Sequence, residues 1–200
     1  MIPKLDYQMH DLLIQIFMPP LENKKDFYKQ NQEFIQHFKK IEKKVLISIE
    51  KFSGFRWSKK IIPVYMIPNG GIPSFAKSNL EENTPGVVQR IYGTNKRATH
   101  ILIHELTHIN QFQSDFHSKS NSFIFDKKGV KNYMRTELCS DIVCIHVLRD
   151  LFGNKSSYEA DYWNFQNNVR TSSPGIEKKI PIYLKKWNLN KKTLREYILK

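Results

Sequence analysis

Hydrophobic residues recur at helical spacing in the first quarter of the chain. In residues 22–52 the apolar positions step by seven, four and three residues, which places side chains on one face of an α-helix. This pattern predicts one long amphipathic helix with its apolar stripe in a core. If continuous, it would be on the order of 45 Å long at about 1.5 Å per residue, with Ser53-Gly54 as a stop signal. The stripe consists of Phe27, Phe34, Phe38, Ile41, Val45 and Phe52.

Two short apolar runs follow and predict β-strands. One is Ile61–Ile67, in which Pro63 indicates an edge strand or a strand start because proline has no backbone N–H to donate. The other is Gly86–Tyr92. We expect the segment between them, Ile72–Pro85, to be a loop or lid. Strands that precede a mainly helical half predict an α+β fold.

The second half of the chain contains the strongest helical patterns. Leu102, Leu106 and Ile109 form an apolar stripe, and Thr94 or Asn95 can cap the start of that helix. A second helix is predicted from Thr136 to about Phe152, and a third over residues 156–170. Asn190 is a candidate cap for a short last helix that ends at Leu199. Residues 114–131 form a polar, serine-rich connection between the first two helices.

The first of these helices carries the sequence His104-Glu105-Leu106-Thr107-His108, an HExxH motif. Residues four apart lie on one helix face, so both imidazoles can reach one ion. Neutral imidazoles suit Zn²⁺, which in catalytic sites takes three protein ligands and keeps one open position. Glu105 is rotated about 100° from His104. It therefore lies beside the ion, where it can take a proton from water and pass it to a leaving nitrogen.

Glu137 is the best candidate for the third ligand. It shares one stripe of the predicted second helix with Asp141, Cys144 and Leu148, at spacings of four, seven and eleven residues. A glutamate in that position can complete a coordination set of two histidines and one carboxylate. Asp141, one turn further, can reach the far nitrogen of a ligand histidine and fix its tautomer.

Other residues compete with these assignments. Asp115 and Glu159 are alternative third ligands. Cys144 offers a sulfur ligand, although a small buried hydrophobe is the more typical role of such a thiol. We expect His100 to be a solvated or capping residue at the helix start, or to lie at the end of a cleft. An oxyanion donor, usually a tyrosine or histidine, is not assigned; the tyrosines eligible by position are Tyr133, Tyr158 and Tyr162.

With these motifs, residues of about 87–152 resemble the gluzincin metallopeptidases of the thermolysin-like clan. In that clan the HExxH helix is followed by a glutamate helix with the third ligand, often with an acid four residues later. The resemblance implies that the zinc ligands are His104, His108 and Glu137. It also implies that Glu105 is the general base and acid, and that Asp141 is the carboxylate partner of a ligand histidine.

The resemblance also implies a zincin-like α+β architecture. A small antiparallel or mixed sheet would pack on the active-site helix and the glutamate helix, with the N-terminal amphipathic helix in addition. One edge strand would hold an extended peptide by main-chain hydrogen bonds. The 200 residues predict a single domain over 1–200, with an N-terminal helical segment (1–55), a catalytic core (56–171) and a C-terminal helical tail (172–200).

Composition narrows the class of protein. A hydrophobic content of 40 % and an aromatic content of 12 % indicate a globular chain, and no apolar run approaches the roughly 18 residues of a membrane span. The net charge of +13 favours anionic partners in principle. The lysines are, however, dispersed along solvated faces without a nucleic-acid-binding motif, so no specific nucleic acid partner is predicted.

Cysteine usage and the first residues bear on location. Cys139 and Cys144 are the only cysteines, and their spacing on one helix is poor geometry for a mutual disulfide. This usage is typical of a reducing compartment. Residues 1–20 lack the basic and apolar regions of a signal peptide. The sequence therefore predicts a cytoplasmic zinc metallopeptidase that acts on a peptide or protein substrate, in an oligomeric state that it does not define. The alternative is a zinc-stabilised regulatory or binding protein with little or highly target-specific proteolysis.

Overall fold

A computed structural model of the chain describes residues 1–9, 24–67, 74–81, 84–90, 93–113, 132–168 and 175–198. These residues form an α+β fold, as the sequence predicts, with seven helices and a mixed sheet of four strands. In chain order the elements are β1 (Lys4–Gln8), α1 (Lys24–Lys39), α2 (Glu42–Ser53), β2 (Ile61–Ile67), β3 (Phe75–Glu81), β4 (Thr84–Arg90), α3 (Asn95–Phe112), α4 (Asn132–Phe152), α5 (Ser157–Asn168), α6 (Ile176–Lys186) and α7 (Leu194–Ile198).

The sheet has the strand order β1-β2-β4-β3. β2 is parallel to both β1 and β4, and β3 is antiparallel to β4. β2 is thus a central strand, and the prediction that Pro63 marks an edge strand is wrong. Its pairing with β4 begins only at Val64, the residue after the proline. The missing N–H therefore falls before the first paired residue of that ladder, where it disrupts little.

Two strands lie where the sequence predicts none. β1 occupies part of the N-terminal segment that was expected to be helical. Only Leu5 of this short strand is buried, and a partner from α2 holds it: Glu42 accepts hydrogen bonds from the Leu5 N–H (3.2 Å) and the Tyr7 hydroxyl (3.1 Å). Distant contacts, which no local pattern reports, therefore stabilise β1.

β3 occupies the segment that was predicted to be a loop or lid. Its sequence FAKSNLE has little apolar character, and its order comes from antiparallel pairing with β4, for example Phe75 opposite Val88. β4 itself begins at Thr84, two residues before the predicted start at Gly86. The sequence Asn69-Gly70-Gly71 predicts a turn after β2, and it lies outside the described residues.

The predicted long N-terminal helix is two helices. α1 ends at Lys39 and α2 begins at Glu42, so the prediction of continuity over residues 22–52 is wrong. The prediction of the buried face is confirmed: every aromatic member of the stripe is buried, and Ile41 packs against the core at the break. The apolar stripe therefore continues from α1 to α2 although the helix is interrupted between them.

Gly54 ends α2 as predicted. Its φ of 75° is left-handed, and its N–H donates to Glu50 O at 3.0 Å. A Cβ at this position would lie 2.5 Å from Oγ1 of Thr193. Glycine is therefore required here both for backbone conformation and for space.

α3 is the central helix of the fold and is buried along most of its length. Thr94 caps it, as predicted, by accepting a hydrogen bond from the Arg97 N–H. The helix packs against α2, α4, α5, β3 and β4. A buried network fixes its other end: Ser53 donates to the side-chain oxygen of Asn110 at 2.6 Å, and the Asn110 amide donates to Phe55 O at 2.9 Å.

The other predicted helices are present, but some of them begin at different residues than predicted. α4 begins at Asn132, four residues before the predicted Thr136, and α5 lies within the predicted range 156–170. Thr193, and not the predicted Asn190, caps the last helix, because Thr193 and Glu196 exchange hydrogen bonds at its start. Among the described residues, no helix is both long and apolar enough to cross a lipid bilayer.

Candidate metal centre

Three predicted ligand side chains converge between α3 and α4. Nε2 of His104 lies 3.0 Å from Nε2 of His108. Glu137 approaches both rings, with Oε2 at 3.3 Å from Nε2 of His104 and Oε1 at 3.3 Å from Nε2 of His108. Each residue thus offers one ligand atom to a common centre, and the three side chains can hold a metal ion.

Helix geometry explains this convergence. His104 and His108 are four residues apart on α3 and share one face, as the sequence predicts. Glu137 lies in the first half of α4, the helix that packs most extensively on α3. Both histidines are nearly buried, whereas the Glu137 side chain is 27 % exposed. Glu137 is therefore the most exposed of the three side chains.

The second nitrogen of each imidazole also has a partner. Nδ1 of His104 lies 3.0 Å from Oδ1 of Asp141, a fully buried carboxylate. Nδ1 of His108 lies 3.1 Å from Oγ of Ser140. When these Nδ1–H groups donate outward, the lone pairs of Nε2 are left facing the cluster, which is the tautomer that a metal ligand needs.

Asp141 occupies the position that the sequence predicts, but Ser140 was missed. It lies three residues after Glu137 and so shares the helix face of Glu137 and Asp141. This i, i+3 spacing was the available signal. Gln166 was missed as well: its amide donates to Oδ1 of Asp141 at 3.0 Å. It reaches the site from α5, and no local spacing connects it with the motif.

The electrostatics of the cluster are dominated by the two acids. Burial alone lowers the pKa of His104, but the Asp141 and Glu137 carboxylates outweigh it and raise that pKa to about 10. Burial likewise raises the pKa of Glu137, whereas hydrogen bonds from His104 and His108 hold it far below its ordinary value. The two carboxylates therefore stabilise the protonated form of His104, and a bound cation would displace that proton.

Glu105, the predicted general base, lies on α3 next to His104 and is 8 % exposed. It is not one of the three side chains that share the ligand centre. Its predicted position beside a bound ion, and its role as general base, stay predictions.

The rival ligands have other partners or lie elsewhere. Glu159 accepts two hydrogen bonds from Arg149, at 3.0 and 2.6 Å, and one from the Lys155 N–H at 2.8 Å. It therefore acts as a structural ion-pair partner on α5. Asp115 lies outside the described residues. Cys144 is buried and donates to His100 O at 3.4 Å, so it packs as predicted for a small hydrophobe.

Neither Cys139 nor Cys144 is in a disulfide, and both are fully buried on α4. Burial, with a contribution from the nearby Asp141 charge, raises the pKa of the Cys139 thiol well above its ordinary value. Cys139 therefore stays a neutral thiol and is a poor metal ligand.

The prediction that His100 is solvated or caps the helix is wrong. It is buried, its Nε2 lies 3.0 Å from Oδ2 of Asp161, and its ring packs on Tyr162 and Phe165. Burial lowers its pKa, although the Asp161 carboxylate opposes this shift. His100 thus joins α3 to α5, one turn before the first ligand histidine.

None of the tyrosines considered as oxyanion donors is assigned that role. Tyr158 hydrogen bonds to Nε2 of His37 at 3.1 Å and stacks on Phe152. Tyr162 is buried against the His100 ring. The side chain of Tyr133 lies outside the described residues.

Comparisons of the chain with protein-family models, with curated proteins and with solved structures found no match.

Proposed function

We propose that the chain is a zinc-dependent metallopeptidase of gluzincin type. The observation that carries this proposal is the convergence of His104, His108 and Glu137 on one centre, with Asp141 behind His104. The donor set of two imidazoles and one carboxylate is the one that catalytic zinc takes in several peptidases. A cytoplasmic location and a peptide or protein substrate belong to the same proposal.

The distances support zinc in particular. Zinc binds nitrogen and oxygen at about 2.0–2.2 Å in tetrahedral geometry, so two ligand atoms lie about 3.3 Å apart. The two Nε2 atoms lie 3.0 Å apart, and each lies 3.3 Å from a different oxygen of Glu137, Oε2 for His104 and Oε1 for His108. Modest side-chain adjustment would therefore bring one ligand atom of each residue around a bound ion. Ca²⁺ and Mg²⁺, which prefer oxygen ligands, fit this nitrogen-rich set poorly.

Each residue then has a defined role in peptide hydrolysis. Bound Zn²⁺ would supply Lewis acidity and activate water at the position that the protein leaves open. Glu105 accepts the proton of the attacking water and delivers it to the leaving nitrogen. Asp141 and Ser140 hold the two imidazoles in the tautomer and orientation for binding.

The sheet offers a surface for an extended substrate. β3 is an edge strand among the described strands and contacts α3, the helix with the HExxH motif. An edge strand presents backbone donors and acceptors that can pair with a peptide. We assign this role to β3, which lies on the opposite edge from β1.

A peptide library assay tests the function. The protein, loaded with Zn²⁺, is incubated with mixed peptides, then with a chelator, then with Zn²⁺ added back. We expect cleavage that stops with the chelator and returns with zinc. Glu105→Gln should keep the bound zinc and lose at least about 100-fold in kcat, the scale of general-base catalysis. Glu33→Gln, on the exposed face of α1, is the control.

A second candidate is a zinc-stabilised regulatory or binding protein. It is favoured by one observation: the ligands come from two different helices, so an ion would link α3 to α4. Metal then adds its binding free energy to folding. Chelation that unfolds the protein, together with no cleavage of any peptide in the library, would select this function over the peptidase.

A further inference from the structure

α5 contributes to the metal centre although it carries none of its three ligands. It contacts both ligand-bearing helices, α3 and α4. Towards α3, Asp161 lies 3.0 Å from Nε2 of His100 and 3.4 Å from the Arg97 guanidinium. Towards α4, Glu159 accepts two hydrogen bonds from Arg149. Polar contacts thus tie α5 to both helices, and His100 and Glu159 are the buried partners in them.

Gln166 lies on this helix, five residues after Asp161, and is itself buried. Its side-chain amide donates to Oδ1 of Asp141 at 3.0 Å. The same oxygen lies 3.0 Å from Nδ1 of His104. Two donors from two different helices therefore converge on one carboxylate oxygen.

This shared acceptor has a physical consequence. Asp141 is fully buried, so water cannot compensate its charge or fix its rotamer. Its orientation depends on the groups that donate to it. A buried carboxylate that loses a donor either turns towards other donors or loses its charge, and both changes weaken its hold on His104.

We propose that Gln166 is a positioning residue of the metal centre: it holds Asp141 in the orientation in which Asp141 accepts from His104. This inference rests on the proposed metal centre and adds a third helix to it. The contacts of Asp161 and Glu159 anchor α5 to α3 and α4, and this anchored helix carries the Gln166 amide. The chain of contacts runs from Gln166 through Asp141 to His104.

The test is a zinc affinity measurement by competition with a chromophoric chelator. Gln166→Met removes the amide and keeps the length of the side chain. We expect its zinc dissociation constant to rise about 10-fold, as for other partners of metal ligands. The matched control is Gln89→Met: Gln89 is also a buried glutamine, but its amide bonds to backbone carbonyls of Arg90 and Ala98. The control should bind zinc like the parent.

A double-mutant cycle separates positioning from general structural support. If Gln166 acts through Asp141, Gln166→Met has no further effect on zinc affinity in an Asp141→Ala background. An equal loss in both backgrounds overturns the proposal, because the loss then does not pass through Asp141. Unchanged affinity in Gln166→Met overturns it as well.

Misfolding of the variant and failure of the parent protein to bind zinc also have defined consequences for the proposal. If Gln166→Met fails to fold, as judged by circular dichroism, the smaller Gln166→Ala, which has no side-chain donor, replaces it; it should also weaken zinc binding, and parental affinity would overturn the proposal. A folded parent that binds no Zn²⁺ overturns the metal centre together with this inference. A parent that binds Zn²⁺ beside unaffected Gln166 variants overturns this inference alone.

Discussion

Oγ of Ser140 lies 3.1 Å from Nδ1 of His108, on the side of the ring opposite to the nitrogen that faces Glu137. This hydroxyl is therefore the counterpart of the Asp141 carboxylate behind the other histidine. A neutral hydroxyl is a weaker acceptor than a carboxylate. The two histidines of the motif are thus held with unequal strength.

Ser140→Ala should weaken zinc binding about 10-fold, because the buried Nδ1–H of His108 loses its acceptor. Zinc competition with a chelator measures the change. Ser48→Ala is the matched control, since Ser48 is a buried serine that donates to Asp150 outside the centre. Equal affinities of the two variants would show that the Ser140 contact does not support His108.

Glu137→Ala should abolish stoichiometric zinc binding at neutral pH, because two imidazoles alone leave the ion with too few protein ligands. Elemental analysis of the purified protein gives the metal content. Glu159→Gln is the comparison, since Glu159 was the competing third ligand and instead pairs with Arg149. Loss of zinc in Glu159→Gln and retention in Glu137→Ala would reverse the assignment.

His146 should make the fold sensitive to acid. Burial, helped by the nearby Arg149 charge, lowers its pKa to about 4, against about 6.5 in the unfolded chain. Between these values the unfolded chain binds more protons, so the free energy of unfolding falls as the pH falls from about 6.5 to about 4. The loss from this group is at most about 3 kcal/mol.

Urea unfolding at several pH values in this window tests the effect of His146. His146→Leu removes the titrating group and should show a shallower decline of stability with falling pH than the parent. Parallel pH profiles for the two proteins would mean that His146 is not held neutral in the fold.

Gly54→Ala should destabilise the fold more than Gly153→Ala. Both glycines have positive φ, at 75° and 85°, so both alanines incur about 1–2 kcal/mol of backbone strain. Only at Gly54 would the new Cβ meet Oγ1 of Thr193, whereas Gly153 has open space around it. Overpacking adds about 1–3 kcal/mol. If thermal or urea unfolding shows the same loss of stability for both variants, the Thr193 contact does not contribute to the effect at Gly54.

The sequence predicts the site wherever helix periodicity alone determines placement. His104 and His108 on one helix, and Glu137 and Asp141 on the next, follow from four-residue spacing. That the two helices meet with these faces together depends on packing, and the structure confirms that Glu137 reaches both rings. The roles assigned to zinc and to Glu105 stay predictions.

Tertiary contacts explain what was missed. β1 and β3 have few apolar residues, and they are ordered by pairing with β2 and β4. His100 looked exposed because its partner Asp161 is 61 residues away in sequence. Gln166 is likewise remote from Asp141 along the chain. Periodicity carries no information about such pairs.

The two buried thiols of α4 provide a way to measure how tightly α3 and α4 pack together. A thiol reagent cannot reach Cys139 or Cys144 while α4 stays packed against the core. The rate at which the reagent modifies them therefore measures how often this interface opens in solution. A bound ion that links α3 to α4 should slow this modification. The modification rate of the two cysteines therefore reports on the stability of the centre.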